Sequence, residues 1–70
     1  MADSVYVVSE IVGTSTKSWE AAATNAIATA SKRLRDLRVA EVVKQDVTIE
    51  EGKPASYRVR MTVSFKYDDG

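Results

Sequence analysis

No cysteine and no histidine occur among the 70 residues, and there is one proline, one tryptophan and three glycines. Without cysteine there are no disulfides, no thiolate metal sites and no thiol nucleophile. Without histidine the commonest general base, the serine–histidine pair and imidazole metal ligands are lost as well. No long apolar run is present, and a membrane span needs about 20 such residues. The first ten residues, MADSVYVVSE, lack a basic segment followed by an apolar core, which points to a cytoplasmic protein. Excess charge of either sign is also missing: ten Lys and Arg balance ten Asp and Glu. No long-range field therefore favours nucleic acid or an anionic membrane as partner.

What remains is a chain of one domain, residues 1–70, small enough that its own core alone leaves it only marginally stable. A domain of this size buries only about 60% of the surface its unfolded chain exposes. Small domains make up the deficit with disulfides, metals or partner subunits. Here oligomerisation stands first, with a hard cation held by carboxylates as the lesser route.

The most patterned stretch is SYRVRMTVSFKY, Ser56 to Tyr67. Tyr57, Val59, Met61, Val63, Phe65 and Tyr67 alternate with Arg58, Arg60, Thr62, Ser64 and Lys66, the period of a two-faced strand. Upstream, Val5 to Gly13 is β-branched and aromatic and reads as a first strand ended by the glycine. Ser18 is the predicted helix cap, with Glu20 in the first turn. Trp19, Ala22, Ala23, Ala26, Ile27, Ala30, Leu34 and Leu37 then form one apolar stripe, a helix from Ser18 to about Arg35. Lys32, Arg33 and Arg35 fall at its C-terminal end. With Arg38 they form a basic cluster better explained by the helix dipole and pairing across subunits than by nucleic acid. A second strand begins near Val39. Glu50 to Lys53 forms a glycine-containing turn, and Pro54 precedes the third strand. The tail, Asp68 to Gly70, is expected to be mobile.

The fold class is α+β in the order β-α-β-β. Strands two and three pair as a hairpin, and a right-handed crossover carries strand one to strand two. Strand three then lies in the middle of a three-stranded antiparallel sheet packed on one helix. Strand three, from Ala55 to Tyr67, spans about 40 Å, whereas the helix covers only about 27 Å. The overhang, expected near Tyr57 or Tyr67, calls for cover from another subunit.

VSEIVGTSTKSWEAAATNAI, LRDLRVAEVVKQDV and YRVRMTVSFKYDD, in this order, resemble the dodecins over nearly the whole chain. The resemblance implies a homododecamer, a hollow shell with helices outward and sheets lining the interior. It also implies storage or sequestration of riboflavin or FMN at subunit interfaces. In flavin-binding dodecins a tryptophan at the start of the second strand stacks on the ring, and a glutamine on the third strand bonds its edge. The matching positions here are Val39 and Arg58, and Glu41, Lys44 and Gln45 complete the candidate cofactor set. Valine has no π-face, and arginine donates hydrogen bonds but accepts none. A subset of dodecins sharing the SWE, RVA and YR(V/I) features lacks the stacking tryptophan and is associated with calcium. This sequence looks closer to that subset.

Calcium wants six to eight oxygen ligands. The candidates are Glu41, Asp46 and Glu50, with Glu51, Asp68 and Asp69 nearby, though no spacing matches an EF-hand. Trp19 reads as a core or interface anchor. Arg58 and Arg60 have two readings: ion pairing with Glu41 or Asp46 of the adjacent strand, or anion binding, which would suit FMN better than riboflavin. No spacing assembles a nucleophile, base and oxyanion donor, so an enzyme is not expected.

Overall fold

The computed structural model describes residues 5–66. Tyr67, Asp68, Asp69 and the rest of the expected mobile tail lie outside the described residues. Four elements follow one another: β1 (Tyr6–Ser15), α1 (Trp19–Ala30), β2 (Leu37–Glu50) and β3 (Lys53–Lys66). They form one sheet in the order β1-β3-β2, with both outer strands antiparallel to β3. The β-α-β-β order and the central third strand are thus as the sequence predicts.

The Ser18 hydroxyl caps α1, accepting a 3.0 Å bond from the Ala21 amide, and Glu20 lies in the first turn. The helix is shorter than its apolar stripe suggests. After Ala30 the Lys32 and Arg33 amides bond to carbonyls three residues back, and Asp36 takes a φ of 55° that turns the chain into β2. Lys32, Arg33 and Arg35 therefore lie beyond the last helical turn rather than within it. Leu34 sits in the connecting turn, and Leu37 opens β2 two residues before the expected start.

Gly13 does not end β1, which runs on to Ser15. Its role is space. A Cβ there would overlap the Ala22 carbonyl oxygen and come within 2.7 Å of the Ala26 Cβ. The missing side chain, facing alanines, lets α1 lie directly on the sheet. At the hairpin Glu51 and Gly52 take φ values of 52° and 76°, the positive pair of a type I′ turn, whose twist suits the strands it joins. Pro54 lies within β3 rather than before it, opposite Ile49 and beyond the end of β1 pairing at Tyr57. There β3 needs no amide for β1.

The core is small. Ala22, Val59, Met61 and Val63 are fully buried, with Ile11, Ala23, Ala26 and Ile27 packed around Ala22, Val59 and Met61. The helix covers β1 and β3 but not β2. Ala40, Val42 and Gln45, register partners of Val63, Met61 and Val59, stay exposed on the helix side. An uncovered surface thus runs along β2. Tyr57, expected to overhang, is half-buried, its ring edge-on to Trp19 with centroids 5.0 Å apart.

Candidate functional site

The face of the sheet away from α1 carries every second residue of each strand. From β3 these are Arg58, Arg60, Thr62, Ser64 and Lys66. Opposite them stand Asp46, Lys44, Glu41 and Val39 of β2, and Thr14, Val12, Glu10, Val8 and Tyr6 of β1. A bulge between Val42 and Lys44 returns Lys44 and Asp46 to this face. Gln45, paired with the buried Val59, is thereby turned to the helix side. Of the five candidate cofactor residues, Val39, Glu41, Lys44 and Arg58 share the open face and Gln45 does not.

Arg58 grips Asp46 with both arms of its fork, Nε to Oδ1 at 2.7 Å and Nη2 to Oδ2 at 2.8 Å. Of the two sequence readings for this arginine, the cross-strand ion pair is realised. The bond from Arg58 is the main reason the Asp46 carboxyl sits below its usual range, and the positive charges of Lys44 and Arg60 add to it. The same bond raises Arg58 further above its ordinary value. Asp46 also holds the helix: its backbone carbonyl accepts a 2.9 Å bond from the Trp19 indole N–H. Trp19 is therefore a clamp between the start of α1 and the β2–β3 hairpin, with its ring against Tyr57. Nothing in the sequence signals that contact, since its partners lie 27 residues apart and one of them is a main-chain atom.

Beside this pair lies a cleft of about 70 Å³ lined by Val12, Lys44, Asp46, Arg58 and Arg60. At the other end of β2, Val39 lines an apolar cleft of about 130 Å³ with Ile27, Leu37, Arg38, Ala40 and Val63. Val39 is 61% exposed. Its partner Ser64 lies six residues along β3 from Arg58, about 20 Å at strand spacing. Within one chain Val39 and Arg58 do not converge.

The candidate cation ligands are likewise spread out. Glu41 stands opposite Thr62, Asp46 opposite Arg58 and Glu50 opposite Lys53. Asp46 has committed both oxygens to Arg58. Among the described residues no three acidic side chains come together.

The family model for dodecin matches residues 5–68. The chain belongs to the dodecin family. It is 44% identical to the calcium dodecin of Mycobacterium tuberculosis (strain ATCC 25618 / H37Rv), over 90% of this chain and 89% of that one. Among solved structures, the dodecin of Streptomyces coelicolor superposes with a TM-score of 0.93 at 34% identity, with both chains covered completely. The crystal structure of the Mycobacterium tuberculosis calcium dodecin, described as a calcium-chelating antigen with a novel calcium-binding site, gives 0.81 at 43% identity over 94% of each chain. Dodecins are multimeric binding proteins for small ligands, not known as enzymes, with dodecamers and flavin binding as family properties. No helix among the described residues is long and apolar enough to cross a membrane.

Proposed function

We propose that this dodecin is a non-enzymatic, cytoplasmic homododecamer, one domain per chain, that binds calcium at its subunit interfaces. The observation that carries this reading is the chemistry at the two positions implied for flavin. Val39 has no ring to stack, and the fork of Arg58 is committed to Asp46. Similarity to a calcium dodecin supports the choice of cation. Exposed Glu41 and Glu50 are the free carboxylates of β2, and symmetry copies of either would supply the several oxygens a hard cation requires. A second reading, sequestration of riboflavin or FMN, draws support from the apolar cleft beside Val39, which would give a ring edge a dry surface.

Native mass spectrometry of the protein as purified, before and after chelator treatment, tests both. Twelve chains with calcium that the chelator strips and added calcium restores is the expected result. A calcium-linked rise in melting temperature should accompany it, because a ligand bound only by the assembled state stabilises that state. Twelve chains carrying flavin masses would install the second reading. A monomer or small dimer would sink both.

A further inference from the structure

The β2–β3 ladder places Lys44 directly opposite Arg60, with Arg58 next along the same face. Like charges facing each other across strands are destabilising, so this register carries a standing electrostatic cost. Asp46 is the one carboxylate in the cleft, and both of its oxygens are taken by Arg58. Glu10 and Glu41 stand one step along the face, each opposite Thr62. Among the described residues neither comes within ion-pair distance of Lys44 or Arg60. The cleft therefore holds three cations against one anion, a balance of 3 − 1 = 2 positive charges around about 70 Å³. Two of Arg58's N–H groups are spent on Asp46, which holds the guanidinium in place while its other donors stay unused. Val12 of β1 closes the side of the cleft with an apolar wall.

We propose that Lys44, Arg58 and Arg60 form a binding site for a phosphoryl dianion, either free phosphate or the head of a small phosphomonoester. An anion between Lys44 and Arg60 neutralises the opposed pair and takes charge-assisted bonds from both, while Arg58, held by Asp46, presents its spare donors from one side. Lys44 and Arg60 line the same cleft as Asp46 and Arg58. Every group in the site comes from one chain, so the proposal does not rest on the calcium reading.

The test is calorimetric titration of the chelator-treated assembled protein with inorganic phosphate and with glycerol phosphate at constant ionic strength. Saturable binding is expected, weakened about tenfold or more by Lys44→Gln and by Arg60→Gln. Lys53→Gln, which removes the same charge at the hairpin turn, should leave it unchanged. Circular dichroism and assembled mass check that each variant folds, and if one fails to assemble the other carries the test. A preference for the ester would assign the site to a phosphorylated small molecule, and equal or weaker ester binding to the free ion; both support the site. No saturable binding by the unaltered protein, or binding that all three substitutions affect alike, overturns it. Because calcium is removed throughout, failure here is distinct from failure of the calcium reading.

Discussion

Asp46 ties three parts of the molecule together. Its carboxylate holds Arg58 of β3, its main-chain carbonyl holds Trp19 of α1, and its strand runs on into the hairpin. Because the folded carboxyl lies below its ordinary value of 3.8, the pair contributes stability that is fully present above that pH and is lost as pH falls through the folded value. Arg58 stays charged throughout, so the acid side alone is affected. The stability gap between the natural protein and Asp46→Asn should be constant near neutrality and close as pH drops below 3.8. Denaturant titrations at several pH values measure this, and a gap unchanged at about pH 2 would remove the pair from the account. The partnership of Arg58 was legible in part: the sequence offers Glu41 or Asp46 of the adjacent strand, and the register shift between Thr48 and Ile49 is what sets Asp46 opposite it. The bond from Trp19 was not legible, because its acceptor is a carbonyl that every residue possesses.

Among the elements, α1 shows why composition mattered more than length. Its contact face is mostly alanine, and at Gly13 its backbone comes directly onto the sheet, beside the buried Val59 and Met61. Gly13→Ala should destabilise the fold by about 3 kcal/mol, at the upper end of overpacking costs, because backbone rather than a flexible side chain blocks the new methyl. A loss below about 0.5 kcal/mol in urea unfolding would mean that the helix lifts off without cost. The N-terminus of α1 was readable from Ser18, a local capping signal. Its C-terminus was not: Leu34 and Leu37 continue the helical spacing, but the chain spends them on a turn and on β2. Periodicity reports which residues are apolar and gives no notice of where a chain stops winding.

At the scale of the whole molecule, the single chain leaves itself incomplete. It exposes 5568 Å², against roughly 4300 Å² for a monomer of its mass. Val39, Val42, Val43 and Ile49 of β2 are all at least half exposed, which agrees with a family that works as multimers. The ligand question belongs at this scale as well, since Val39 and Arg58 lie far apart in one chain and would have to meet across an interface. If Val39 borders a flavin pocket there, Val39→Trp combined with Arg58→Gln should bind riboflavin about ten to a hundred times more tightly than the natural protein. That is the range expected from one added stacking contact. Quenching of riboflavin fluorescence reports it, and a folded double variant with no gain places the pocket elsewhere.

The order of elements, the central position of β3, the hairpin turn and the two-faced character of the sheet were determined by the sequence alone. Each follows from spacing and backbone preference within a few residues. Only the tertiary structure decided that α1 stops at Ala30, that Gly13 serves contact rather than termination, that β2 is the uncovered strand, and that Lys44 faces Arg60. Those depend on how far one element reaches over another and on the register shifts along β2, the one between Val42 and Lys44 among them. Register and reach are properties of pairs of elements, and no local stretch of chain encodes them.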